Sequence, residues 1–177
     1  MPRTEPQLIC LIGAECTGKT TLAQHLALTL SGLWVPERLR LFCDIHRRTP
    51  SQSEQIGILE QQAQDEQEAM IEARRQNFPF VFCDTAPLLT AIYSEFVFKD
   101  MALFPRAREL HSRYHQTLVL EPDLPWIADG MQRDGAHVRP PIHARILEEL
   151  QGLHVPFKSI SGMGCARSEA AQLALQA

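Results

Sequence analysis

One stretch of the chain has the residue types and spacing that bind a phosphate chain. Residues 13–20 read GAECTGKT, which fits the pattern G-x-x-x-x-G-K-[ST]. Glycines let the backbone turn so that several N–H groups face one anion, and the following helix adds a favourable dipole. In such a loop Lys19 reaches the β- and γ-phosphates of ATP, and the Thr20 hydroxyl binds Mg²⁺. The candidate cofactor-binding residues are Gly13, Ala14, Glu15, Cys16, Thr17, Gly18, Lys19, Thr20 and Thr21.

A carboxylate that follows an apolar run is the second candidate. Asp84 comes directly after FPFVFC, a run typical of a buried strand. A carboxylate there can hold Mg²⁺ or accept the proton of an attacking hydroxyl. The alternative is a helix N-cap, because Asp84 and Thr85 precede Pro87 and a helical pattern. We favour the functional role and predict that Thr20 and Asp84 form a metal site, with Lys19 and Asp84 catalytic.

Two charged residues follow the next strand-like run. Glu37 and Arg40 come after residues 33–35, and in a doubly wound sheet the carboxyl ends of the strands open onto the ligand crevice. A carboxylate there can bind sugar hydroxyls or act as a base, and an arginine can bind phosphate. Exposed charges at a helix start explain the pair almost as well.

Residues 122–139 combine proline, glycine and charge, which is typical of a loop or lid. Phosphoryl transfer needs cations over the migrating group and the exclusion of water. A mobile segment that carries Arg133 and Arg139 would supply both, and Arg133 is the candidate catalytic arginine. An ordinary surface loop is the alternative.

Short apolar runs alternate with helical patterns along the whole chain. The predicted strands are 7–12, 33–35, 78–83, 117–120 and 155–160, and the predicted helices are 19–30, 37–46, 51–76, 88–98, 103–115, 140–150 and 168 onward. This alternation predicts an α/β fold of the P-loop NTPase type, a three-layer α/β/α sandwich with a mostly parallel sheet of about five strands. We expect a single domain over residues 1–177, with the lid at about 122–139.

Local signals mark the ends and faces of two helices. Gly32 is the predicted C-cap of the first helix, and Ser51 with Glu54 is the signature of a capping box. The apolar stripe of the long helix is Ile56, Leu59, Ala63 and Met70.

Composition narrows the class of protein. The chain has 177 residues and a formal net charge of −4, which gives no reason to expect a nucleic-acid partner. Its five cysteines include no C-x-x-C pair, which argues for a reducing compartment and against a zinc site or disulfides.

His111 and His115 have the spacing of a metal-binding pair on a helix, but no H-E-x-x-H pattern surrounds them, so we interpret them as surface or structural residues. Without a signal peptide or a membrane-length apolar run, we expect a cytoplasmic protein with no membrane partner; the sequence does not indicate an oligomeric state.

Four blocks of the sequence together resemble a known family. They are GAECTGKTTLAQHLA, VPERLR, FCDTAPLLTAIYSEFVF and LEPDLPWIADGMQRDG. In this order they are similar to the ribosylnicotinamide kinase family, the kinase domain of the bacterial NAD-biosynthesis regulators of the NadR type. The resemblance runs from Leu8 to about Gly162 and covers the kinase domain alone, so we expect a stand-alone form.

The resemblance implies transfer of the ATP γ-phosphoryl group to the 5′-hydroxyl of a small-molecule nucleoside, nicotinamide riboside. It aligns Glu37 and Arg40 with the family's proline-glutamate-x-x-arginine pattern near the substrate, and Asp84 with its aspartate-threonine pair. It aligns Trp126 and Asp129, together with the glycine that follows, with the entrance to the lid. These five residues are therefore the candidate substrate-binding residues.

Several alternatives stay open. The lid reads DGMQRD instead of DG-x-R-D, so Gln132 is an insertion that displaces Arg133 by one position. VPERL and CDTAPLLTAIYS also resemble the substrate motifs of deoxyribonucleoside kinases, and either Asp84 or Glu37 can be the base. A nucleotide-dependent regulatory module is the alternative from another class, although no N-K-x-D guanine motif is present. A nucleoside-monophosphate kinase would draw its extra positive charge from Arg38, Arg40, Arg47, Arg48, Arg74 and Arg75.

Overall fold

The apolar runs form a parallel sheet. The computed structural model describes residues 5–127 and 135–176. The strands are β1 (Gln7–Ile12), β2 (Gly32–Val35), β3 (Phe80–Asp84), β4 (Gln116–Leu120) and β5 (Phe157–Ile160). Their order is β2-β3-β1-β4-β5, and every neighbouring pair is parallel. The expected sheet of about five strands is confirmed, and it is parallel throughout the described residues.

Helices cover both faces of this sheet. They are α1 (Lys19–Thr29), α2 (Arg38–His46), α3 (Gln55–Gln76), α4 (Pro87–Phe98), α5 (Phe104–His111), α6 (Arg139–Gly152) and α7 (Cys165–Gln176), with 3₁₀ turns at Gln52–Glu54 and Ala136–Val138. On one face, Leu26 of α1 and Ala171 of α7 pack in a core with Leu11 and Leu118. On the other face, side chains of α3 to α6 pack against alternate residues of the same strands. The three-layer α/β/α sandwich is therefore confirmed.

Strand order determines where ligands can bind. The chain leaves β1 towards β2 and β3 on one side and later reaches β4 on the other, so a crevice opens above the carboxyl end of β1. In the register of the sheet Leu11 lies opposite Asp84, which brings the end of β3 beside the loop that follows β1.

Some predicted boundaries and faces were wrong. In the predicted apolar stripe of α3, Leu59 and Ala63 are buried and Met70 packs against the core, but Ile56 is 43% exposed and Ile58 is buried instead. Gly32 does not cap α1; it opens β2, and Ser31 before it has the left-handed φ of 54°. Helix α5 ends at His111 because the next amides bond to carbonyls three residues back, which tightens the turn. The strands at 78–83 and 155–160 start two residues later than predicted, and α7 starts three residues earlier.

Other local predictions were confirmed. The Ser51 N–H donates to the Glu54 carboxylate at 2.8 Å, as in a capping box. The five cysteines are free. No helix in the described part of the chain has both the length and the apolar character that crossing a bilayer requires.

Candidate active site

The loop between β1 and α1 is tightly built. An added Cβ at Gly13 would lie 2.8 Å from the Thr17 hydroxyl and 2.9 Å from the Leu120 carbonyl oxygen, so only glycine fits there. Gly18 has a φ of 78°, which side chains rarely adopt. The Thr17 hydroxyl donates to the Ala14 carbonyl at 2.9 Å and braces the loop from within.

Lys19 folds back over this loop. Its Nζ donates to the carbonyl oxygens of Gly13 and Ala14, each at 3.0 Å. An ammonium group has three N–H donors, so with these two acceptors Lys19 has a further donor for another acceptor.

Thr20 and Asp84 come together as predicted. The Thr20 hydroxyl donates to Oδ2 of Asp84 at 2.5 Å, although 64 positions separate the two residues. Asp84 is 1% exposed, and its Oδ1 is buried without a hydrogen-bond partner among the described residues. Burial raises the pKa of Asp84, and this shift is opposed by Lys19, by the Thr20 hydrogen bond and by Arg40. A hydroxyl beside a carboxylate is an oxygen donor set that Mg²⁺ prefers, so these residues fit the ion.

The residue after Asp84 is strained. Thr85 has a φ of 80°, an unusual conformation for a β-branched residue, and its N–H donates to the Leu11 carbonyl at 3.0 Å. Strain of this kind concentrates at functional sites. Because Ala86, and not Asp84, caps α4, the alternative reading of Asp84 as an N-cap is wrong.

Two cavities meet above the loop. The first has a volume of about 630 Å³ and is lined by Cys16, Thr17, Gly18, Lys19, Thr20, Thr21, Glu37, Arg40, Leu124, Pro125 and Ile127. The second, of about 160 Å³, is lined by Glu15, Cys16, Lys19, Glu37, Leu39, Arg40, Thr49, Pro50, Gln55, Leu89, Tyr93, Val97 and Phe98. Cys16, Lys19, Glu37 and Arg40 line both, so they mark the junction.

Most of the predicted residues that the structure describes line one or both of these cavities. Glu37 and Arg40 lie at the junction, whereas Asp84, which is 1% exposed, lines neither of the two cavities. Trp126 is half-buried and lines neither cavity. Asp129, Gly130, Gln132 and Arg133 lie outside the described residues.

The sequence analysis did not identify the wall of the second cavity. Leu89, Tyr93 and Val97 recur every four residues along α4 and line it with one face. This spacing was readable in the chain, but a helix face packed on the core has the same pattern.

Arg167 was also missed. It is 4% exposed and donates to the carbonyl oxygens of Thr17 at 2.9 Å and of Gly162 at 2.7 Å, and it forms an ion pair with Asp123. One guanidinium group thus joins the phosphate-binding loop, the segment after β4 and the start of α7. The 150 positions between Arg167 and Thr17 left no signal in the sequence.

The two histidines do not form a metal pair. His111 is buried with Nε2 at 3.1 Å from the Thr117 hydroxyl, and His115 Nδ1 accepts from the Leu8 N–H at 3.0 Å. Within residues 5–127 and 135–176, no group of three or more His, Cys, Asp or Glu side chains could hold a metal.

The family of the chain follows from comparison with known sequences. Residues 8–167 match the AAA_28 family, described as an AAA domain. The chain belongs to this family. No curated protein sequence matches this AAA domain significantly.

Solved structures share the fold. A NadR protein in complex with NR superposes with a TM-score of 0.81 at 20% identity, over 99% of this chain and 53% of that one. Deoxyadenosine kinase from M. mycoides gives 0.64 at 12% identity, over 96% of this chain and 99% of that one. Thymidylate kinase from Ehrlichia chaffeensis superposes with a TM-score of 0.64 at 15% identity, over 95% of this chain and 98% of that one.

The NadR-type resemblance is thus confirmed at the level of the fold. Identities this low establish the fold and no more. The chain spans about half the length of the NadR proteins, and nearly all of the two nucleoside or nucleotide kinases. Its fold is that of a P-loop kinase.

Proposed function

We propose that the chain is an ATP- and Mg²⁺-dependent kinase that phosphorylates the 5′-hydroxyl of a nucleoside, nicotinamide riboside in particular. The observation that carries the proposal is the junction of two cavities at Lys19, Glu37 and Arg40. A phosphate chain in the first cavity and an acceptor in the second would meet at a cation and a carboxylate. Phosphoryl transfer needs this arrangement, because it depends on positioning and on charge.

A further cavity supports ATP as the phosphate donor. It has a volume of about 570 Å³, shares Gly18, Thr21 and Leu124 with the first cavity, and extends to His25 and the start of α7. A nucleotide with its phosphates on the loop would place its nucleoside here.

The Thr20 hydroxyl and the Asp84 carboxylate would hold Mg²⁺. Oδ1 of Asp84 is a buried acceptor with no hydrogen-bond partner among the described residues, and binding of the hydrated ion would satisfy it. When bound, Mg²⁺ would neutralise charge on the phosphoryl oxygens.

Glu37 is the better candidate for the base. It lines both cavities and is partly exposed, so a substrate hydroxyl can reach it. Asp84 is buried and already accepts the Thr20 hydrogen bond, which suits a metal-binding role. The choice between the two carboxylates therefore favours Glu37.

The charges around the second cavity favour a nucleoside over a nucleoside monophosphate. Of the six arginines that could bind an acceptor phosphate, four form ion pairs with acidic residues and line neither of the two cavities. These pairs are Arg38–Asp65, Arg48–Glu54, Arg74–Glu5 and Arg75–Glu72. Arg40 is the one of the six that lines a cavity.

Two features favour nicotinamide riboside among nucleosides. Its pyridinium ring is cationic, and the carboxylates of Glu15 and Glu37 line the second cavity. Tyr93 and Phe98 add aromatic surface, against which a flat cation packs well. The similar NadR structure in complex with NR supports the same choice.

The lid completes the proposal. We retain the roles predicted from the sequence, with Arg133 as the catalytic arginine of the lid and Asp129 and Trp126 as substrate-binding residues. Arg139 is 7% exposed and donates to the Leu124 carbonyl at 2.8 Å; its Nε and Nη2 have no partner among the described residues. It is a second cation that closure could bring to the phosphates.

The test is an acceptor panel. The purified protein is incubated with Mg-ATP and nicotinamide riboside, other nucleosides or their monophosphates, and products are identified by mass spectrometry. We expect the mononucleotide of nicotinamide riboside as the main product, and a Tyr93→Ala variant with a raised acceptor KM. Phosphorylation of monophosphates alone would replace this proposal with a nucleotide kinase. Tight ATP binding without any acceptor-dependent ADP release would favour the regulatory module.

A further inference from the structure

The N-terminus of α2 is held by a side chain from another helix. The Arg38 N–H donates to Oε1 of Gln62 at 2.9 Å, and Gln62 is 1% exposed. Glu37, which precedes the helix, makes no capping hydrogen bond with its own side chain. Gln62 of α3 thus satisfies one of the amides that a helix start leaves open.

The two ends of the Gln62 amide have different partners. Gln62 Nε2 donates to Glu66 at 3.2 Å, and Glu66 also accepts from the Tyr114 hydroxyl at 2.7 Å and from Arg113 at 2.8 Å. A backbone N–H only donates hydrogen bonds, so the oxygen of Gln62 must face the Arg38 N–H. The NH₂ end of Gln62 is therefore directed at Glu66.

A second contact holds the same turn. The Arg38 guanidinium forms a two-pronged ion pair with Asp65, also on α3, with Nε to Oδ2 at 2.8 Å. Helix α3 thus holds both the backbone and the side chain of Arg38. The neighbours Glu37 and Arg40 line the junction of the two cavities.

We infer that Gln62 is a positioning residue for the acceptor, because it holds the first turn of α2 so that Glu37 and Arg40 face the cavity junction. The inference rests on the proposed function in that the acceptor occupies the second cavity. The loop residues proposed to bind ATP lie on α1 and before it, so ATP binding should depend on this contact much less than acceptor binding does.

The first test is Gln62→Leu, which keeps the size and removes both hydrogen bonds. We expect the acceptor KM to rise about fivefold to tenfold, the effect of losing one helix cap, and the ATP KM to stay within about twofold. Hydrogen exchange of the amides of residues 38–41 should become faster. The matched control is Gln116→Leu, which removes a 2.7 Å hydrogen bond to the Ala174 carbonyl on α7. It should change neither the acceptor KM nor this exchange.

The second test exchanges the two polar groups. Gln62→Glu alone places two carboxylates together and should raise the acceptor KM. With Glu66→Gln added, the new carboxylate at position 62 accepts hydrogen bonds from the Arg38 N–H and from the NH₂ group of the new amide at position 66. The oxygen of that amide then accepts a hydrogen bond from Arg113. The double variant should recover an acceptor KM close to the original value, and because it keeps every polar group it serves where Gln62→Leu does not fold.

The outcomes separate the two proposals. If the unmutated protein phosphorylates no acceptor, the proposed function is overturned. Hydrogen exchange would still show whether Gln62 stabilises the first turn of α2. Unchanged exchange at residues 38–41 in Gln62→Leu, or ATP and acceptor KM values that rise equally, would overturn the positioning role.

Discussion

Replacing Gly13 with alanine tests the packing of the phosphate-binding loop. The added Cβ would meet the Thr17 hydroxyl at 2.8 Å and the Leu120 carbonyl oxygen at 2.9 Å, closer than real Cβ atoms approach. Leu120 belongs to the buried strand β4 and cannot retreat, so Thr17 or the loop must move.

The expected cost follows from these contacts. Overpacking in a rigid site costs about 1–3 kcal/mol, and rotating Thr17 away from the Ala14 carbonyl loses a buried hydrogen bond of about 1 kcal/mol. Replacing glycine with alanine also restricts the unfolded chain, which raises the free energy of unfolding by about 0.4–1 kcal/mol and offsets part of this loss. We therefore expect Gly13→Ala to lower the free energy of unfolding by about 1–3 kcal/mol. The displaced loop should also weaken ATP binding at least about tenfold, or about 1.4 kcal/mol.

The assay is urea unfolding at a constant m value, combined with calorimetric titration of ATP. Gly57→Ala is the matched control, because Gly57 lies within α3 and an added Cβ there meets nothing within 4 Å. In that variant the free energy of unfolding should rise by about 0.5–1 kcal/mol, and the ATP affinity should not change. A Gly13→Ala variant as stable as Gly57→Ala, with unchanged ATP affinity, would refute the reasoning.

Four further outcomes are expected. Lys19→Ala should lower kcat by about two to three orders of magnitude, since a preorganised charge contact is worth about 3–4 kcal/mol; an unchanged rate of ADP formation would exclude Lys19 from the phosphates. Asp84→Asn should raise the Mg²⁺ concentration for half-maximal rate about tenfold or more, while urea unfolding at pH 8 shows no loss of stability, because burial already disfavours the charged form. Burial raises the pKa of Glu66 from its ordinary 4.5 to about 7, so the folded state binds this proton more tightly than the unfolded state does. Stability from this group is therefore present below about pH 4.5 and lost as pH rises through 7, on the order of 3 kcal/mol; Glu66→Gln should remove this slope in urea titrations from pH 4.5 to 8, and an unchanged slope would contradict it. Arg167→Leu should cost about 3 kcal/mol in urea unfolding, because it leaves Asp123 and the Thr17 carbonyl without their partner; a loss below about 1 kcal/mol would show that the contact is not needed.

The residues proposed to bind phosphate could be predicted from the sequence, because they are contiguous. A glycine that must turn, a lysine and a hydroxyl at set spacing determine the loop locally, and the apolar run before it predicts the strand on which it stands. Asp84 was predicted for a different reason: it follows a strand-like run, and the carboxyl ends of parallel strands lie at one edge of the sheet.

Contacts between elements were decided by the tertiary structure. The Arg167–Thr17 hydrogen bond, the Gln62 cap on α2 and the α4 wall of the second cavity depend on how closely two elements approach and on which helix face turns inward. The residue pattern of one helix or strand does not show how closely it approaches another element. The sequence by itself thus determined the loop, its residue types and the mostly parallel sheet that the alternation of strands and helices implies. The folded chain decided which arginines are held in ion pairs and which residues line the second cavity, because ion pairs and cavities are formed by side chains brought together from distant positions.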